Sequence, residues 1–463
     1  MIKRATKPVP VPYNLTDTPI TSTLFRLSWP IIATNFIQTI YGLVDMFWVG
    51  KLGSDAVAAI GTASFFVTLA AGLFAMISIG SGVKVAQSMG AGKEEQAKQY
   101  IHNGFLMSSI LGFGYMVFIL FMKDDLIGFF GLGPNVEKLA SQYLIVAMVG
   151  TIFSFFNILF SMILNSLGNS RKPLHVNMVG FLINLVIDPL FIFGLGGFPG
   201  FGVLGAAVAT LLANIVVTIL FYINTKSFPL FTKPYLFNLQ DMKTVLKMGF
   251  PISVQRLSFT MISIIMAKII VQWGAEAIAV QRVGIQIESI SFMTIGGLQG
   301  AVAAFIGQNY GAKKWTRIQN GYQIALLLTT VFGILTTAIF VFFPKQIFSL
   351  FLNDPASLSL GIHYLQIIGL SQLFMCLEIM TVGAFNGIGK THIPPIFSIV
   401  LTAARIPLAL VLSSYYGLNG VWMSIAGTSV LKGILLVVWF MRSLQKMNKS
   451  LTVVDNRINA ENR

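Results

Sequence analysis

Twelve runs of about 20 or more apolar residues, parted by short polar or glycine-proline breaks, restrict this chain more than any other feature. They lie, to within about four residues, at 24–50, 56–82, 97–122, 138–164, 172–196, 203–224, 244–273, 277–305, 317–343, 358–386, 392–415 and 420–442. Each is continuously apolar over the length that a helix needs to cross about 30 Å of hydrocarbon, whereas barrel strands alternate over about ten residues. The predicted fold is an all-α integral membrane protein with twelve transmembrane helices. Composition agrees, because 55% of the 463 residues are apolar and only 10% are charged, which leaves no polar shell for a water-soluble domain.

The net charge of +15 would raise the question of nucleic acid in a soluble protein. Here the basic residues gather in the N-terminal tail, the even-numbered connections and the C-terminal tail. The odd-numbered connections carry only Lys51, Lys123, Lys138 and Lys345. That asymmetry places both termini in the cytoplasm, in a multi-pass protein of the cell membrane surrounded by lipid, with no nucleic-acid partner. The first twenty residues have no apolar core of a signal peptide and read as a cytoplasmic tail. The single cysteine, Cys376, permits no internal disulfide and no multi-cysteine metal site.

The chain repeats. Adding 221 carries Pro30 to Pro251, Gly53 to Gly274, Gln87 to Gln308, Lys93 to Lys314, Asn165 to Asn386, Gly168 to Gly389 and Pro173 to Pro394. Six crossings per repeat is an even number, so the halves share an orientation and are expected to be related by a pseudo-two-fold axis along the membrane normal. The expected organisation is an N-terminal tail at 1–23, a six-helix bundle at 24–224, a cytoplasmic linker at 225–243, a second six-helix bundle at 244–442 and a C-terminal tail at 443–463. Alternating access about a cavity between the halves is the expected mode of action.

Ionisable residues at membrane depth are costly and therefore candidates for function. The first half holds two, both acids, Asp45 and Asp188. Asn184 shares the helix face of Asp188, Pro189 frees the carbonyl of Leu185, and Thr210 descends to a comparable height. These oxygens suit a hard monovalent cation or a proton; the other reading is a polar cluster that only pins helices. Gln38, Tyr41 and Asp45 form one stripe on the first helix. The second half holds Arg256, Lys268, Arg282, Glu288, Glu378, Arg405 and Lys432. Glu288 and Arg405 are expected to form a buried structural ion pair, Glu378 is a further acid, and Lys432 has no evident partner. Arg256, Lys268 and Arg282 are expected to snorkel from the span ends.

The segments PIIATNFIQTIYGLVDMFWVGKLGSDAVAAIG (30–61), QSMGAGK (87–93), NSLGNSRKP (165–173), NLVIDPLFIFG (184–194) and GVLGAAVAT (202–210), with GQNYGAKK (307–314) and FNGIGKTHIPP (385–395), resemble the multidrug and toxic compound extrusion (MATE) family. The resemblance covers about residues 20–445. RVGIQIESISF (282–292) and ARIPLAL (404–410) look most like its DinF branch. It implies a V-shaped pair of six-helix bundles that exports amphipathic, mostly cationic drugs or toxins by H+ or Na+ antiport. It places the cation site, and any bound Na+, at Asp45, Asn184, Asp188 and Thr210, with the Ala206 carbonyl as a further ligand. Gln38, Tyr41 and Asn157 look like its substrate-binding residues, for which interhelical hydrogen bonding is the other reading. Some branches place a glutamate early in the seventh span, where this chain has Phe259, so coupling is assigned to the first-half acids. No catalytic residues, no cofactor beyond the coupling ion and a monomer are expected. A lipid-carrier flippase of a related superfamily and, more remotely, a membrane-embedded transferase are the alternatives.

Overall fold

The computed structural model describes residues 14–226, 228–231, 237–352 and 354–461. The chain is helical almost throughout. The first half runs α1 (Ile20–Gly50), α2 (Ser54–Gly90), α3 (Glu94–Gly128), α4 (Pro134–Ser166), α5 (Arg171–Phe193) and α6 (Gly202–Thr225). The second runs α7 (Leu239–Ile270), α8 (Ala275–Gly311), α9 (Trp315–Phe342), a short α10 (Pro344–Phe348), α11 (Pro355–Gly387), α12 (Ile393–Ala403), α13 (Arg405–Tyr416) and α14 (Leu418–Glu461). A two-residue-per-strand hairpin, Gly194–Leu195 against Phe198–Pro199, caps the turn from α5 to α6.

Eleven segments are long and apolar enough to cross a membrane, with α12 and α13 counting together as one. The remaining expected crossing, α1, is 31 residues long, about 46 Å at 1.5 Å per residue, so length suffices. What it lacks is apolarity, because Asn35, Gln38, Tyr41 and Asp45 interrupt its run. Helix ends also overrun the expected spans. α2 and α8 each have 37 residues, and their ends differ by the repeat, Ser54 to Ala275 and Gly90 to Gly311. The eleventh run is broken at Ala404, between α12 and α13, three residues before Pro407.

The helix ends after α2 and α8 close alike. Ala91 N–H donates to Gln87 O at 3.0 Å and Lys93 N–H to Ser88 O at 2.9 Å, while Ala312 N–H donates to Gln308 O at 2.9 Å and Lys314 N–H to Asn309 O at 2.9 Å. Each pattern needs a left-handed residue, which is Gly92 (φ +69°) in the first half and Lys313 (φ +57°) in the second. Lys313 is the one non-glycine residue with positive φ among the described residues, and the repeat explains it, since Lys313 is the equivalent of Gly92. A side chain there costs roughly 1–2 kcal/mol. Lys313→Gly is expected to recover about 1 kcal/mol, read as a higher unfolding midpoint in detergent, whereas Gly92→Lys should lower it.

The chain divides into two compact units whose limits cut through helices. Trp29–Ser253 belongs to the first unit, and Thr18–Ser28 joins the residues from Val254 on in the second. The first eight or nine residues of α1 therefore pack with the second half of the sequence, and the first half of α7 packs with the first. Within the first unit, Ser253 Oγ donates to Gly72 O at 2.8 Å, and Gly80 and Gly249 approach the backbones of Val245 and Met76 so closely that a Cβ at either glycine would collide. Gly249→Val is expected to unseat the start of α7 at a cost of at least about 1–3 kcal/mol, checked by thermal unfolding of the purified variant. Within the second unit, Arg317 Nη2 donates to Thr18 O at 2.6 Å.

Of the expected N-terminal tail, residues 1–13 lie outside the described residues. Residues 14–17 form a turn in which Asn14 Nδ2 donates to Asp17 Oδ2 at 2.6 Å, and Leu15 is fully buried. The expected linker contains a 3-10 turn, Pro229–Phe231, whose buried Leu230 joins Val245 in a core with Phe74, Phe155 and Leu159. Phe74 and Phe155 stack there at 4.2 Å between centroids. The second unit has its own core about Trp422, Tyr364 and Phe348, in which Trp422 Nε1 donates to Gln281 Oε1 at 2.9 Å. The backbone of the expected C-terminal tail continues α14 to Glu461.

Candidate cation and substrate site

Four helices of the first unit converge on its polar interior. α1 contributes Gln38, Tyr41 and Asp45; α4 contributes Tyr143, Thr151, Asn157 and Ser161; α5 contributes Asn177, Asn184 and Asp188; α6 contributes Ala206, Thr210, Asn214 and Thr218. Pro189 stays within α5, one residue past Asp188, and removes the donor that the Leu185 carbonyl would otherwise receive.

Asp188 and Asn184 are buried, at 1% and 0% exposure, and Asn184 Nδ2 donates to Asp188 Oδ1 at 2.7 Å. The carboxyl groups of Asp45 and Asp188 are close enough to interact directly. Three acceptor oxygens, Asp45 Oδ1, Asp188 Oδ2 and Asn184 Oδ1, are buried without a donor. Among the described residues no lysine, arginine or histidine pairs with either acid. A buried carboxylate is normally neutralised by a counter-charge, and two neighbouring carboxylates without one create a demand for positive charge. One proton shared between them, or one small cation held by the three oxygens, meets that demand.

Next to Tyr41 is a cavity of about 390 Å³ lined by residues of the first unit. Gln38, Tyr41, Tyr143, Asn157, Asn177, Thr210 and Asn214 supply most of its polar lining, and Ile37, Val67, Ala207, Leu211 and Val217 part of the apolar lining. Tyr41 connects the two features: its ring borders the cavity, and its hydroxyl, next to Thr210 and within the field of Asp45, is buried with no hydrogen bond. Asn157 lies at the cavity wall and also makes contacts between helices. It ties α4 to α6, donating from Nδ2 to Asn214 O at 3.1 Å and accepting from Thr218 Oγ1 at 2.8 Å. The Ala206 side chain lies instead in the apolar cluster with Val49, Ile60 and Ile192, while its helix carries Thr210 one turn on.

Sequence reasoning missed Tyr143, Asn177, Asn214 and Thr218. A signal was present for two of them, because Thr210, Asn214 and Thr218 recur every four residues along an otherwise apolar run.

The second-unit charges pair differently from expectation. Glu288 and Arg405 form no ion pair: Glu288 accepts from the Tyr364 hydroxyl at 2.5 Å and from Gln372 Nε2 at 3.3 Å, while Arg405 donates to Thr428 Oγ1 at 2.8 Å and Ser429 Oγ at 2.9 Å. The pair that does form joins Glu378 to Lys432 at 3.0 Å, with both side chains buried. Arg405 opens α13, where the break at Ala404 turns it toward α14, and α11 packs along α14 so that Glu378 meets Lys432.

The sequence model of the MatE family matches residues 30–190 and 251–411, two segments 221 residues apart that together span most of the chain. The chain belongs to the MatE family. It is 28% identical over 436 residues to the "Probable multidrug resistance protein NorM" of Thermotoga maritima, covering 93% of this chain and 94% of that protein. A protein of Shewanella oneidensis named FAD transporter is 26% identical over 442 residues, covering 91% and 94%. Among solved structures, an outward-facing multidrug resistance MATE family transporter of the MOP superfamily superposes with a TM-score of 0.86 at 25% identity, over 94% of this chain and 98% of that one. This MatE member is thus a multi-pass membrane transporter of small molecules and not an enzyme, with the two-bundle fold of its solved relatives.

Proposed function

We propose that the chain exports amphipathic, mostly cationic compounds from the cytoplasm by H+ or Na+ antiport, as a monomer in the cell membrane with both termini in the cytoplasm. The observation that carries this reading is the neighbouring pair Asp45–Asp188, which has unpartnered oxygens, acts on Tyr41 of the cavity lining and has no base among the described residues. A cation or proton bound there neutralises the pair, and Tyr41, which lines the cavity within the field of both acids, carries the change to the cavity. Aromatic faces and amide groups in that lining suit the flat, weakly hydrated cations typical of drugs. Release of the bound cation leaves two buried charges uncompensated, which favours a conformation that hydrates them and links ion movement to substrate movement.

Dye efflux from everted vesicles under an imposed pH gradient or an imposed Na+ gradient tests the proposal, with ethidium, rhodamine and, because a FAD transporter is among the relatives, a flavin in the panel. One gradient is expected to drive efflux of a cationic dye. If neither gradient moves any dye while the protein is verified in the membrane, the antiport reading fails; flavin transport alone would replace the substrate class.

A further inference from the structure

The repeat locates a second site. From the first helix of each half to the fifth, equivalent residues differ by 221, as the family match and the helix ends show. Beyond the hairpin, which has no counterpart among the described residues of the second half, the difference falls to 215. Gly202 (φ +56°) then matches Gly417 (φ +57°), and Gly205, packed against the Phe191 carbonyl, matches Gly420, packed against the Leu412 carbonyl. With these offsets, residues that line the first-unit cavity correspond to the charged cluster of the second: Asn157 to Glu378, Val217 to Lys432, Asn214 to Ser429, Val67 to Glu288 and Tyr143 to Tyr364. Asn184, which holds Asp188, corresponds to Arg405.

The second-unit charges are therefore the counterpart of the cavity lining and not a scatter of helix-pinning residues. The two units place their charges at different positions, since Asp45 and Asp188 correspond to Met266 and Ala409. In the first, the acids have no base; in the second, Lys432 reaches in from α14 and places its ammonium 3.0 Å from Glu378. That ammonium carries three donors, and its one carboxylate partner is Glu378. Glu378 so disposed is a cation site with its occupant attached to the chain.

We propose that Glu378 forms a second cation-binding site, closed by the tethered ammonium of Lys432, and that this site accepts a free primary ammonium ion when the lysine side chain is removed. The tether supplies the second unit's positive charge from the chain itself, and it follows from the Glu378–Lys432 geometry whichever ion couples the first unit.

The test uses the purified full-length protein. Lys432→Ala deletes three carbons and the ammonium, the atoms of n-propylammonium. Its unfolding midpoint is expected to fall below wild type and to rise saturably with n-propylammonium, less with methylammonium, and not with choline at equal ionic strength. Wild type and Lys432→Ala/Glu378→Gln should not respond. Lys432→Met keeps the aliphatic stem, leaves room beside Glu378 only for a small ion, and should gain stability in lithium chloride beyond the wild-type response, a gain lost in Lys432→Met/Glu378→Gln. No saturable response in either single variant, or an equal response with Glu378→Gln present, overturns the proposal. So does failure of both single variants to fold in the presence of their cations while the double variants fold.

Discussion

Vesicles carrying Asp45→Asn are expected to lose gradient-driven efflux, by about 5- to 150-fold if the acid carries a typical coupling free energy of 1–3 kcal/mol, while yield and unfolding midpoint stay near wild type. The substitution preserves shape and removes one ionised oxygen from a site that already has more acceptors than donors. An amide can donate to Asp188 where a carboxylate could only repel it, so folding loses nothing and gains a hydrogen bond. What disappears is the second negative charge that draws in the cation. Substrate binding, carried by the apolar and amide walls of the cavity, should persist. Asp188→Asn should weaken efflux as well, with some loss of stability because Asn184 donates to it. Efflux at the wild-type rate in Asp45→Asn vesicles would move coupling to Glu288 or Glu378.

Glu378→Gln is expected to destabilise the protein severely, by roughly 3–5 kcal/mol, because it strands a buried ammonium. Lys432→Met alone strands a carboxylate at similar cost. The double variant Glu378→Gln/Lys432→Met buries neither charge and should recover most of the loss, so the two substitutions are strongly non-additive. Thermal or denaturant unfolding of the four proteins measures the coupling directly, and additive losses would mean that the 3.0 Å pair contributes nothing.

The sequence made the helices, the repeat and the two first-half acids legible, since each is a local signal: a run of apolar residues, a constant offset, a charge where a charge is costly. It left pairing obscure. Glu288 and Arg405 looked like partners because both are mid-span and opposite in sign, but partnership depends on which faces of α8, α11, α13 and α14 meet. The break at Ala404 turns Arg405 toward the hydroxyls of Thr428 and Ser429. Lys432 had no evident partner because Glu378 lies 54 positions earlier and depth alone does not specify a helix neighbour. The hairpin between α5 and α6 hid the second-site correspondence, since it shifts the offset by six residues and the 221-residue repeat then misaligns the last helix of each half. The limits of the units were hidden too, because hydropathy marks where a helix crosses lipid and not which neighbours it packs on.

Those limits also bear on synthesis. The first unit draws Leu230, Val245 and Ser253 into its packing, so a nascent chain that has delivered all six helices of the first half still lacks part of that core. The opening residues of α1 wait longer, since Arg317, which donates to the Thr18 carbonyl, is translated 299 residues afterwards. A gene divided at the polar connection would produce two fragments, each keeping a length of helix that its counterpart needs, and their assembly would require both to enter the same membrane.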